Sequence, residues 1–238
     1  MKKLFEKHET LFCIALIALY VIGNSLCKKN FGDYSTITLI FNGLFTAALV
    51  AIMLLTNGLK YFGLVKPTNY KSYLFFIPLI LLSTVNLWNG ININNSSNEI
   101  IFYILIMINI GFIEEIIFRG FLFKMMAKDN VKIAILVSSL TFGIGHIVNL
   151  LTGADFIPTL IQVGYATSFG FLFVTIFYKS KSLIPSILAH IIINSTAIFN
   201  VENSLSLYII PLLMIIISIG YALYLYKPLK VKNDKGLN

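Results

Sequence analysis

The sequence predicts an all-α fold: a polytopic transmembrane bundle of about eight helices with both termini cytoplasmic. Three observations predict it. Of 238 residues, 58% are apolar and only 12% charged, with a mean hydropathy of +0.86, whereas roughly a quarter of a soluble domain is charged. The apolar residues collect into runs of about 20, the length that crosses a hydrocarbon core of about 30 Å. The lysines fall between those runs, and unevenly from one side to the other.

Taken in order, the runs cover 11–27, 37–56, 72–89, 100–123, 132–151, 157–178, 183–200 and 205–226, separated by Asn57-Gly58, Lys66-Pro67, the polar stretch 89–98, Thr152-Gly153-Ala154-Asp155 and Lys179-Ser180-Lys181-Ser182. These are ordinary chain breakers. The first run follows Met1-Lys2-Lys3 but has no small-x-small cleavage site after it, so it reads as a retained span. Cys13 and Cys27 form no CxxC pair and read as structural thiols. With no repeat and no connection long enough for a soluble domain, residues 1–238 form one integral membrane domain.

Placing the N-terminus inside assigns 15 lysines to the cytoplasmic face (2, 3, 7, 60, 66, 71, 124, 128, 132, 179, 181, 227, 230, 232 and 235) and only Lys28 and Lys29 to the other. That asymmetry orients the bundle. It also accounts for the net charge of +8 as a topology signal and an attraction to anionic lipid. No basic face interleaved with aromatics is left to bind nucleic acid.

A few costly groups remain inside apolar runs: Glu114, Glu115 and Arg119 in the fourth, His146 in the fifth, His190 and Asn194 in the seventh. A charge at the bilayer centre costs at least about 2.5–3.5 kcal/mol, so such residues face the bundle interior and mark function. Counted from the expected cytoplasmic ends they lie at comparable depth, roughly 12 to 21 Å at 1.5 Å per residue. Arg119, the one arginine in the chain, follows Glu115 by four residues, which suits a neutralising pair. Glu114, rotated by about 100°, is free to face another helix. His190 and Asn194 share a face, as do Phe142 and His146. A carboxylate and an imidazole at one level can take a proton from water, and a second imidazole with an amide can hold a developing oxyanion. On this reading Glu114 and His146 activate water, while His190 and Asn194 stabilise negative charge.

Glu114-Glu115-Ile-Ile-Phe-Arg119 (EExxxR), Phe142-Gly-Ile-Gly-His146 (FxxxH) and His190-Ile-Ile-Ile-Asn194 (HxxxN), in this order on separate apolar segments, resemble the CPBP family, the CAAX proteases and bacteriocin-processing or Abi proteins. The resemblance covers a core of about 99–200. It implies an intramembrane endopeptidase acting on a membrane-associated peptide or lipidated protein: a CAAX terminus, or a leader, signalling or bacteriocin peptide. It gives Glu114, His146, His190 and Asn194 the catalytic roles and makes Glu115, Arg119 and Phe142 supporting residues.

The family has been described both as zinc-dependent and as glutamate-dependent. The absence of HExxH and the presence of only three histidines, with His8 in the charged N-terminal tail, favour a site without a cofactor; a zinc alternative would draw on His146, His190 and Glu114 or Glu115. Two other functions use the same residue types, a non-proteolytic bacteriocin immunity protein and a proton-coupled transporter. Against the transporter, no repeated halves or paired interrupted helices are present. Asn86, Asn109, Gln162 and Thr167 read as interhelical glue, and glycines 143, 145, 164 and 170 as close-approach positions. Composition rich in Ile, Asn and Lys suits a prokaryotic plasma membrane protein. Membrane lipid is the expected surrounding partner; the sequence specifies no oligomeric state. Access to the site is expected from the cytoplasm or laterally from the bilayer.

Overall fold

The computed structural model describes residues 7–67, 74 and 76–226, and among these it is all-helical. Lys2, Lys3, Lys71, Lys227, Lys230, Lys232 and Lys235 of the orientation argument, and part of the 72–89 run, lie outside the described residues.

Eight helices follow in the expected order. They are α1 (Glu9–Phe31), α2 (Thr36–Leu55), α3 (Ile77–Leu87), α4 (Ser97–Ala127), α5 (Val131–Thr152), α6 (Phe156–Ser180), α7 (Ile184–Phe199) and α8 (Leu205–Tyr226). Six are long and apolar enough to cross a membrane; α3 and α7 are shorter, rising only about 16 and 24 Å at 1.5 Å per residue. Local chemistry sets several ends. Ser96 and Glu99 form a reciprocal capping box at the start of α4. Asn130 accepts from the N–H groups of Lys132 (3.0 Å) and Ile133 (3.1 Å) before α5. Pro185 sits in the first turn of α7, where its missing N–H costs nothing.

Large apolar side chains cover the outside: Leu11, Leu19, Leu44, Ile80, Leu136 and Ile216 are all more than half exposed. A soluble protein would not present so continuous an apolar surface. Polar side chains instead bridge helices inside. Thr46 donates to Asn109 at 2.8 Å, Asn86 to the Ile193 carbonyl at 2.6 Å, and Asn149 to Gln162 at 2.8 Å.

α5 packs along α6, α6 against α8, and α4 against both α2 and α7. Two glycines permit the closest approaches. A Cβ on Gly111 would come within 2.8 Å of Ile191 Cγ1 and 3.0 Å of its backbone nitrogen, drawing α4 onto α7 beside the residues that carry the intramembrane charges. A Cβ on Gly143 would collide with Thr167 and with the Val163 carbonyl oxygen, holding α5 on α6. Gly170 also approaches α5 closely, at Ser139, whereas Gly145 and Gly164 make only ordinary contacts.

From Ile116 to Phe123, α4 becomes a π-helix, and all eight residues of that stretch are buried. Such segments are rare and concentrate at functional sites. The widened turn is supported by α5, whose buried Ser138 hydroxyl donates to the Phe118 carbonyl at 2.8 Å.

Gly111→Ala is expected to lower stability by roughly 1–3 kcal/mol, the usual cost of overpacking. Gly43→Ala, where a Cβ meets nothing within 4 Å, is expected to cost nothing. Thermal unfolding of the two purified variants in the same detergent measures the difference.

Candidate active site

The polar residues singled out in the sequence converge on one place. Glu114 and Glu115 lie deep in the long α4 span, about 20 Å of helix rise from its end at Ala127. Glu115 points into the protein and Glu114 lines a cavity of about 250 Å³.

Glu115 and Arg119 are each fully buried, with Oε1 and Nη1 3.1 Å apart. Leaving either charge alone would be expensive, because removing one partner of a buried pair typically costs about 3–5 kcal/mol. None of the guanidinium nitrogens makes a well-aligned hydrogen bond with a described residue. Its other support is aromatic: the guanidinium carbon lies 4.2 Å from the Phe142 ring centroid and 5.7 Å from that of Phe173. Desolvated cation–π contacts of this kind are worth about 2 kcal/mol.

His190 stands between the two glutamates. Its Nδ1 is 3.0 Å from Glu115 Oε1, and its Nε2 is 3.4 Å from Glu114 Oε2. A carboxylate only accepts, so Nδ1–H donates to Glu115. A neutral ring would then turn its Nε2 lone pair toward Glu114. A proton carried by either His190 or Glu114 removes that repulsion, and with it the two carboxylates, the guanidinium and the imidazole sum to zero charge.

His146 is the residue at which α5 tightens from an α- to a 3₁₀-helix. Its Nδ1 lies 3.0 Å from the Phe142 carbonyl oxygen, which fixes Nδ1 as the donor and leaves Nε2 as the ring's basic atom. His146 and Glu114 line the same cavity, but the direct ring contact of Glu114 is with His190 rather than with His146. Asn194 lines the cavity one turn beyond His190. Phe142 is more than packing in the ordinary sense. Besides the guanidinium it meets the rings of His146 and His190, centroids 5.3 and 5.7 Å away, edge to face.

The donor atoms fit a metal poorly as they stand. His190 has both nitrogens turned to carboxylates and His146 has Nδ1 committed to a carbonyl. Among the described residues no group of three or more His, Cys, Asp or Glu side chains is placed to hold an ion.

Two features were not anticipated from the sequence. The cavity runs from Glu114 and Phe118 toward the end of the bundle that carries Lys28, Asn149 and Ala197. Access from the cytoplasm or laterally from the bilayer stays an expectation; the lining itself reaches Lys28, on the side expected to face away from the cytoplasm. One wall is furnished by α1 through Tyr20, Val21, Asn24, Ser25 and Lys28. The signal was present as a stripe of polar residues at helical spacing in an otherwise apolar run, but nothing in the sequence says which helix that stripe faces.

A lipid-facing helical bundle that encloses a carboxylate–imidazole cluster beside a cavity defines a membrane protein with an internal acid–base site. Residues 96–196 match the family described as Type II CAAX prenyl endopeptidase Rce1-like, so this segment is similar to a CAAX-protease-type domain, in keeping with the CPBP resemblance. The matched segment contains Glu114, Glu115, Arg119, Phe142, His146, His190 and Asn194, and it excludes α1, α2, α3 and α8. No curated protein matches the chain.

Arg119→Met is expected to destabilise the protein by about 3–5 kcal/mol by stranding Glu115. The double variant Glu115→Leu/Arg119→Met is expected to lose less than the sum of its single changes. Unfolding free energies of the two singles and the double close the cycle; additive losses would mean the pair is not coupled.

Proposed function

We propose that the protein is an intramembrane endopeptidase of a prokaryotic plasma membrane. It hydrolyses a peptide bond of a membrane-associated peptide or lipidated protein: a CAAX-type terminus, or a leader, signalling or bacteriocin peptide. The observation that carries this reading is the juxtaposition of Glu114, anchored through His190, Glu115 and Arg119, with the free Nε2 of His146 on one cavity wall. The match to the Rce1-like domain supports it.

In the proposed reaction a water in the cavity gives a proton to Glu114, and its oxygen attacks the scissile carbonyl carbon. The carbonyl π-pair moves onto oxygen. The tetrahedral intermediate collapses with cleavage of the C–N bond, and the proton passes to the leaving amine, with His146 Nε2 relaying it. Because both ring nitrogens of His190 are engaged by carboxylates, this reading gives His190 the task of orienting Glu114 and leaves oxyanion contact to Asn194. Glu115 and Arg119 hold His190 in its tautomer and orientation. No step requires a metal.

Glu114→Gln and His146→Ala are each expected to reduce turnover at least about 100-fold, the lower range for general acid–base catalysis. Comparative peptidomics of wild-type and Glu114→Gln cells is expected to show an accumulated precursor; equal peptide pools in the two strains would count against processing. Purified enzyme is expected to keep its activity after exhaustive chelation. Loss on chelation with recovery on adding zinc would replace the metal-free mechanism.

A further inference from the structure

Each donor aimed at the developing oxyanion lowers the barrier to amide hydrolysis, and the reading above names only Asn194 for that contact. The cavity wall holds a further candidate donor. Tyr20, midway along α1, is 1% exposed and lies in the wall of the cavity shared by Glu114, His146 and Asn194. Its hydroxyl has no hydrogen-bond partner among the described residues, an uncommon condition for a buried O–H. The ring is held on one side by Phe45, centroids 5.2 Å apart, so the phenol is fixed by packing rather than by a polar contact of its own. The hydroxyl shares this cavity with the Glu114 carboxylate, and the two make no hydrogen bond. A substrate carbonyl oxygen held in that cavity would offer the hydroxyl the acceptor it lacks.

We infer that Tyr20 is a catalytic residue of this site, its O–H donating to the oxyanion of the tetrahedral intermediate alongside the Asn194 carboxamide. The inference rests on the protease reading above and extends it to a helix outside the segment matched to the Rce1-like domain. No proton leaves the phenol. It donates a hydrogen bond while the carbonyl π-pair resides on oxygen, and releases it when the C–N bond breaks. A hydroxyl left without a partner in the resting site fits this role, because its hydrogen bond is made only when the reacting oxygen becomes negative, and a bond realised only in the transition state raises kcat.

The test compares full-length wild type, Tyr20→Phe and Glu114→Gln in the same detergent, using as probe a quenched fluorescent peptide ending in a farnesylated CAAX-type tetrapeptide. Tyr20→Phe removes one oxygen that has no hydrogen bond to lose, so its melting temperature is expected to equal or exceed that of wild type. Its kcat is expected to fall about 100-fold, as for loss of an oxyanion donor, with KM changed less than about twofold since ground-state binding is untouched. A kcat within about threefold of wild type overturns the inference and leaves the protease reading standing. A fall in kcat matched by a fall in folded protein also overturns it, since the hydroxyl is then structural. If wild type cleaves the probe no faster than Glu114→Gln, the CAAX-type form of the protease reading fails and this inference, which is tested on it, fails with it.

Discussion

The buried ion pair between Glu115 and Arg119 is the constraint on which the rest of the site depends. Both side chains are fully buried in a bundle whose outer surface is apolar, and water cannot compensate an imbalance there. Glu115 therefore needs Arg119, and Arg119 needs the faces of Phe142 and Phe173. Glu115 also accepts from His190, and His190 in turn faces Glu114. The chain of contacts leads from a structural charge pair to Glu114, whose carboxylate lines the cavity. Glu114 thus meets the cavity with its carboxylate against the His190 ring.

The backbone geometry serves the same arrangement. α4 changes from α to π immediately after Glu115, placing Arg119 within one widened turn of its partner. Ser138 on α5 donates to a carbonyl of that stretch, so a departure from regular helix that would be costly in lipid is supported from a neighbouring element. Gly111 lets α7 approach α4 closely enough for His190 to reach both glutamates. Phe142 joins the remaining pieces, meeting the guanidinium and both imidazoles with different parts of one ring.

Much of the fold was legible because bilayer solvation imposes a strong and simple rule on composition. Every apolar run corresponds to a helix, and the ends of the long spans α1, α2, α4, α5, α6 and α8 lie within about four residues of their runs, the largest differences being at the C-terminal ends of α1 (Phe31) and α4 (Ala127). Less legible was length: α3 and α7 are short helices, and both end in a 3₁₀ turn rather than continuing as α-helix. The site residues were legible for the same energetic reason as the spans. Glu114, Glu115, Arg119, His146, His190 and Asn194 are polar where polarity is costly, and their i, i+4 spacings assign them to helix faces.

By itself the sequence determined the membrane class, the order of helices and the identity of the intramembrane polar residues, since each follows from local composition and a fixed helical rise. Only the tertiary structure decided who meets whom. It set His190 rather than His146 against Glu114, turned the cavity toward the Lys28 end, and brought Tyr20 of α1 into its wall. Those outcomes depend on interhelical contacts at glycines and aromatic rings far apart in the chain, and helical periodicity specifies which residues share a face without specifying the helix that the face will meet.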